Sequence, residues 1–587
     1  MKKLKENWDL TLLYKNDKDP RIEKDLQAVE KISSAFEKKY KGKNFTSSSK
    51  ALKNALVDYI KLDELANGHK PSWYFNLKKD IDSSDKNAQA KIAQYRERYT
   101  IAGNKLAFFP LELGKTAVTK QKAYLKSGDL KDYSYLLKVI FDQARYDLTE
   151  KEEQLVSLIA APGYSMWVDG NENLLSKIEI KHGNKMIPLP EAIGLISTLE
   201  KDERRQMHQD INQAMKENSH FSESEINAIY NFKKIMDERR GYAKPYSSTA
   251  LHYENDEETV ENLAKVVTKY FKLSQRFYKL HAKLLGEKKL SLSDRSVSIG
   301  KIKKKFSFDY SAKLVKDAFN QFDPKFGKIF QEFLYNGQLD VYPKKGKHGG
   351  AYCASSGLNP TYVLLNHTES IDSVGTLAHE MGHAFHAELS KSQLPHYRGH
   401  TTSTAEVAST FFEQVLSSQL EKVLSPEEQV ILLHNNLTGD VSTIFRQIAF
   451  FNFELELHGR IRKEGKILKE EIAKLMNKHL KSYMGEVFDI TEDDGYFFVY
   501  LSHMRRFFYV YSYAYGQIVS RALFEKWQAD PSYSKKIEQF LRAGGSMSPK
   551  DIFKSIGIDT TDPKFFETGL KSIEKDIDRL EKLSKKV

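Results

Sequence analysis

Long stretches of this chain repeat apolar residues at helical spacing, while the residues that interrupt helices are scarce. Ile22, Leu26, Val29, Phe36 and Tyr40 recur close to a 3.6-residue period with Lys and Glu between them, so one apolar stripe meets a core. Only 15 Pro and 31 Gly occur in 587 residues, too few for a turn-rich β array. A mainly helical fold is therefore predicted. Helices are expected over 52–65, 86–106 and 150–159, with a polar, Ser-rich break at 44–50. The pattern is expected to stop at Ala161-Pro162-Gly163, and 177–187 reads as a β-hairpin alternating around His182-Gly183-Asn184. Helical signals resume over 190–242 and 257–285. The hairpin suggests a boundary, with a mainly helical N-terminal lobe over 1–188 and a larger domain over 189–587.

Apolar residues at 40%, aromatics at 12% and charged residues at 29% exclude wholesale disorder and leave ample material for a core. The net charge of +12 is mild at this length, and Lys is interspersed with acids, as in Lys78-Lys79-Asp80. The densest basic run, Lys301-Ile302-Lys303-Lys304-Lys305, lacks the Arg and interleaved aromatics of a base-reading surface, so no nucleic-acid partner is expected. Cys353 stands alone, which excludes an intrachain disulfide and a Cys-based zinc ribbon. The start, Met1-Lys2-Lys3-Leu4, is not followed by an apolar block, and no window approaches 18 uninterrupted apolar residues. No membrane partner and a cytoplasmic location are expected.

The character changes between Tyr335 and Asn366, where Gly337, Gly346, Gly349, Gly350 and Gly357 punctuate the chain before a strand-like run, Tyr362-Val363-Leu364-Leu365-Asn366. Helices are predicted next over 372–389 and 403–424, the second burying Ala408, Phe411, Phe412, Val415 and Leu416. The first contains His379-Glu380-Met381-Gly382-His383. Side chains four apart share a helix face, so both imidazoles can reach one ion, and neutral imidazole suits a borderline-soft cation such as zinc. Glu380, one position on, is turned away from that pair and can act as general base toward a water.

A catalytic zinc needs a third protein ligand. Glu406, 27 residues past His379 and near the start of the next helix, is placed to return to the ion. Glu388 competes, but it lies two turns on along the motif helix and points elsewhere. Glu413 shares the face of Glu406 and is a candidate to support a ligand from behind. Two further segments are open to two readings each. His503 and the run Phe507-Phe508-Tyr509-Val510-Tyr511-Ser512-Tyr513-Ala514-Tyr515-Gly516 fit an aromatic core, or supply donors to an oxyanion. Gly349, Gly350, Ala351 and Tyr352 fit a flexible loop, or a strand edge that binds an extended peptide through its main chain. Cys353 beside them is either a small buried residue or a source of thiol sensitivity.

Gly349-Gly350-Ala351-Tyr352, Leu358-Asn359-Pro360, Leu364-Leu365-Asn366, the run from Thr376 to His386 and Ala405-Glu406-Val407-Ala408-Ser409-Thr410-Phe411 together closely resemble the oligoendopeptidase F branch of the thimet-oligopeptidase-like zinc metallopeptidases. The resemblance spans nearly the whole chain, from Trp8-Asp9-Leu10 to the closing stretch Gly569 to Ile577. It implies a two-lobed zincin-type fold, mainly α, with a deep central channel and a small β element near the active site. It also implies one Zn2+ per chain, Glu406 as third ligand with His379 and His383, Glu380 as base, and oxyanion donors from His503, Tyr509 and Tyr513; the two tyrosines, four apart, are expected to share a helix face. Tyr511 stays open as a donor, because Met504-Arg505-Arg506 departs from the aromatic run usual there. The implied activity is endopeptidase cleavage of oligopeptides in cytoplasmic peptide turnover. The alternative is a metallocarboxypeptidase or dipeptidase with the same motif.

Overall fold

The computed structural model describes residues 4–67 and 69–586, so the basic Met1-Lys2-Lys3 start lies outside it. Helices dominate, as the scarcity of Gly and Pro requires. The first long one, Pro20–Tyr40, shows how local chemistry sets the elements. Asp19 caps it by accepting from the Arg21 N–H, Pro occupies the first turn, and Ile22, Leu26, Val29, Phe36 and Tyr40 are buried.

Two compact units divide the chain, each assembled from three segments. The first comprises Met1–Arg145, Lys303–Val423 and Leu523–Ile558; the second comprises Tyr146–Ile302, Leu424–Ala522 and Asp559–Val587. A cut at 188/189 therefore does not describe them. The physical reason is long-range pairing by the N-terminal helices. The Trp8 indole donates to the Val363 carbonyl at 2.9 Å, Tyr352 donates to Asp80 at 2.6 Å, and the Tyr397 hydroxyl accepts from the Leu136 N–H at 3.1 Å. Trp8, Tyr14, Leu26 and Phe75 share one apolar cluster with Ala354, Tyr362 and Leu364.

The first unit contains a small sheet beside the motif helix. Strands β3 (Leu339–Asp340), β4 (Tyr352–Ala354) and β5 (Tyr362–Leu364) run in the order β3-β5-β4, with β3 parallel and β4 antiparallel to the central β5. The second unit holds the hairpin, β1 (Glu179–His182) and β2 (Lys185–Pro188), closed by Gly183-Asn184 with Gly183 at φ 60°. Pairing of His182 with Lys185 makes the loop two residues long, so His182, expected in the turn, ends the first strand instead.

The helical pattern does not stop at Ala161. It continues through a π-helical segment, Ala161–Ser165, into a further helix, Met166–Leu175. The wider π turn accommodates Pro162 within the helix. At Gly163 a Cβ would lie 2.6 Å from the Phe232 ring, so the missing side chain admits close packing on the 40-residue helix Lys201–Arg240. The region expected to be one helix over 257–285 is two, Glu257–Lys269 and Phe271–Leu284, broken at Tyr270. Among the described residues no helix is long and apolar enough to cross a membrane.

Candidate active site

The motif lies in Ile371–Ser390, a helix capped by the Ser370 side chain, and the candidate third ligand lies in Thr402–Leu420. The two helices pack directly on each other. Phe385 of the first meets Phe412 of the second with centroids 4.8 Å apart, within a cluster that includes Phe319 and Phe326. Closer approach falls at Gly382, where a Cβ would stand 2.6 Å from Ser409 Cα and 2.8 Å from the Ala408 carbonyl. Any larger residue would push the helices apart at the level of the ligands.

Three side chains converge there. The Nε2 atoms of His379 and His383 lie 3.6 and 3.8 Å from the same Glu406 carboxylate oxygen. Three donors about 2.0–2.2 Å from a tetrahedral ion stand about 3.3–3.6 Å from one another, so the spacing fits one zinc with little adjustment. Among the described residues this is the one group of three or more His, Cys, Asp or Glu whose ligand atoms gather in this way. Glu388 turns to Lys391 at 2.6 Å and takes no part. Glu413 contacts His379 Nδ1, which leaves Nε2 for a metal and fixes the ring.

The electrostatics agree with a cation site. At His379 burial opposes the charged form, but the hydrogen bond to Glu413 and the charges of Glu413, Glu380 and Glu406 outweigh it and raise the pKa to about 9. At His383 burial and the neighbouring His379 lower it to about 3. The carboxylates thus favour positive charge at His379 while His383 stays neutral, and a divalent cation placed among them would satisfy the whole group. Glu380 is 6% exposed. Its burial, helped by Glu406 and Glu413 and opposed by His379, raises its pKa to about 7, in the range that suits a proton acceptor and donor at neutral pH.

Glu380 also accepts a hydrogen bond from the Cys353 backbone. The ladder explains the direction. The Val363 N–H donates to Gln338, on the β3 side, so Val363 turns its peptide groups toward β3. Cys353, opposite Val363, therefore turns its own peptide groups away from β5, onto the outer edge of β4. By the same alternation Ala351 shares that edge, whereas the main chain of Tyr352 faces Leu364 and its hydroxyl is held by Asp80. Gly349 and Gly350 have open space around them; Gly350 sits at φ 75° and its carbonyl accepts from Asn366 at 2.6 Å. The Cys353 thiol is pushed up by burial and by Glu380, which keeps it protonated and unreactive.

His503 belongs to the second unit, in a short 3₁₀ turn, Ser502–Arg506. Its Nε2 is 3.2 Å from the Tyr513 hydroxyl, and its ring stacks on Tyr509 at 5.9 Å. Burial, with Arg506 and Arg446, lowers its pKa, so the imidazole is neutral near pH 7. Tyr509 and Tyr513 do not share a helix face, because the helix begins at Tyr511. Their rings nevertheless lie 5.2 Å apart, both half-buried. Tyr511 differs. It is fully buried and its hydroxyl receives a hydrogen bond from Asn255, which makes it part of the core. Sequence reasoning missed two features of this segment. Arg505 forms a buried ion pair with Glu225, and Glu454 accepts from the Phe508 N–H. The departure at Met504-Arg505-Arg506 was the available signal.

Two family models match the chain: one described as peptidase family M3 over residues 201–572, and one described as oligopeptidase F over 112–179. Oligopeptidase PepF of Bacillus subtilis is 26% identical over 598 residues, covering 100% of this chain and 88% of the relative. Group B oligopeptidase PepB of Streptococcus agalactiae is 24% identical, covering 99% and 97%. A crystal structure of a Chlamydophila abortus protein superposes with a TM-score of 0.88 at 21% identity, covering 98% of each chain. That of oligoendopeptidase-F from Enterococcus faecium gives 0.70 at 18%, covering 97% and 99%.

Proposed function

The chain belongs to peptidase family M3, and on that premise we propose that it is a zinc-dependent endopeptidase that cuts internal bonds of short oligopeptides in cytoplasmic peptide turnover. The observation that carries the reading is the convergence of His379, His383 and Glu406 beside a buried Glu380 that is itself hydrogen-bonded to a strand edge.

His379, His383 and Glu406 would hold one Zn2+, with Glu413 keeping the His379 ring in place. Bound there, the ion supplies Lewis-acid polarisation of the scissile carbonyl and makes water more acidic. Glu380 takes the proton of the attacking water and passes it to the leaving amine, a double use that a pKa near neutrality favours. The outer edge of β4, through Ala351 and the Cys353 carbonyl, aligns an extended peptide by main-chain hydrogen bonds, with Gly349 and Gly350 leaving room for it. This recognition is tolerant of side chains. His503, Tyr509 and Tyr513 donate hydrogen bonds to the oxygen on which negative charge develops. The neutral His503 and its contact with Tyr513 support that role.

The test is digestion of an internally quenched, end-blocked peptide with and without chelator, alongside Glu380→Gln. Activity should vanish with chelator, return with zinc and be absent in a Glu380→Gln variant that still binds metal. Failure to cut the blocked peptide, with release of single residues or dipeptides from an unblocked one, would favour the carboxypeptidase or dipeptidase reading instead.

A further inference from the structure

The segment that carries His503 and Tyr509 is strained and held from several sides at once. Phe507 and Phe508 are consecutive bulky residues at φ 43° and 60°, a conformation that costs about 1–3 kcal/mol per residue and persists only where surrounding structure enforces it. Five side chains enforce it, drawn from four separate helical elements. Arg505 donates to both Glu225 oxygens at 2.9 and 2.6 Å, and its remaining nitrogen donates to the carbonyls of Phe498 and Leu501 at 3.0 and 2.9 Å. Glu225 is 0% exposed. The Tyr164 hydroxyl, from the π-helical segment, donates to the Arg505 carbonyl, and the Tyr230 hydroxyl reaches the Met504 carbonyl at 3.3 Å. Thr249 donates to the Phe507 carbonyl at 2.9 Å, and buried Glu454 accepts from the Phe508 N–H at 2.8 Å.

A loop that only connected two helices would not require this. Each anchor is a main-chain hydrogen bond or a buried ion pair, and together they fix the backbone from Met504 to Phe508, with His503 directly before it and Tyr509 directly after. We propose that Arg505, through its buried ion pair with Glu225, is a positioning residue that clamps this strained segment so that His503, Tyr509 and Tyr513 keep the geometry in which they meet developing charge. The proposal rests on the oxyanion reading of those three residues. Hydrogen-bond donors of this kind act by being oriented beforehand, and a misplacement of about 1 Å can cost roughly a hundredfold in rate. Arg505 touches no reacting atom in this scheme.

The experiment compares Arg505→Lys, which keeps a cation but loses the fork, and Tyr164→Phe, which removes one anchor without unpairing a buried charge. The control is Arg204→Lys, another buried arginine, in ion pairing with Asp294 at 2.8 Å, which lies on the helix of Glu225 but about 30 Å along its axis. Steady-state kinetics on the quenched peptide, metal content, melting temperature and amide hydrogen exchange over 501–512 are read for each. Arg505→Lys is expected to lower kcat about 10- to 100-fold with KM within twofold, full metal content and faster exchange confined to 501–512. Tyr164→Phe should shift the same quantities less, and Arg204→Lys should change melting temperature without changing kcat. Wild-type kcat in Arg505→Lys and Tyr164→Phe, while His503→Ala and Tyr513→Phe are slow, would overturn the clamp alone. Full activity in His503→Ala and Tyr513→Phe would instead remove the oxyanion reading, and with it the purpose assigned to the clamp.

Discussion

The metal-ligand helices and the His503 segment achieve fixed side-chain geometry by opposite means. In the first, two regular helices present His379, His383, Glu406 and Glu413 by periodicity, and a glycine sets their separation. In the second, an irregular backbone with two left-handed phenylalanines is immobilised by partners 54, 258 and 280 residues away in the chain. Periodic geometry is cheap and modular. Anchored irregular geometry is costly, and its cost is spread across distant elements. Substitutions in the two regions should therefore fail differently.

The largest expected effect is at the base. Glu380→Gln should lower kcat about a hundred- to ten-thousandfold with metal content intact, measured on the quenched peptide with parallel zinc analysis. Cleavage at the wild-type rate would remove Glu380 from the chemistry. Next, Tyr513→Phe should cost about a hundred- to a thousandfold in kcat. Tyr511→Phe, inside the core, should instead leave kcat unchanged and lower stability by about 1 kcal/mol in urea unfolding. Equal kinetic losses in the two would erase the distinction between donor and core tyrosines. Smaller still, Glu413→Gln should weaken zinc about 10- to 100-fold in competition with a chelator of known affinity, because the His379 ring loses its charged partner. Of similar size but in stability rather than activity, Gly382→Ala should cost about 1–3 kcal/mol as the helices separate against Ser409. An unchanged melting temperature there would mean that the close approach of the helices contributes little.

This contrast also decides what could be read in advance. The four-residue spacing of the histidines, the return of Glu406 and the heptad from it to Glu413 are local patterns, and each helix lies within a few residues of its expected span. The hairpin turn and the strand after the Gly-rich stretch were legible for the same reason. Features that depend on a distant partner were not. Continuation through Pro162-Gly163 depends on Phe232, and the interleaved units depend on Trp8 and Asp80 reaching the small sheet. The meeting of Tyr509 and Tyr513 was expected from helix periodicity, yet it occurs across the entry to a helix that starts at Tyr511. Only the buried partner Glu225 explains an arginine at 505, and nothing near it in sequence announces that partner.

The three-part construction of each unit bears on the order in which the molecule can be made. The unit that holds the metal ligands takes its last segment from Leu523–Ile558, and helix Ser534–Ala543 of that segment packs on the motif helix. During synthesis the histidines leave the ribosome well over a hundred residues before that support exists. The first unit cannot close before Leu523–Ile558 is made, nor the second before Asp559–Val587, so the nascent chain must carry unassembled segments of both, with their apolar faces uncovered, while the intervening residues are synthesised.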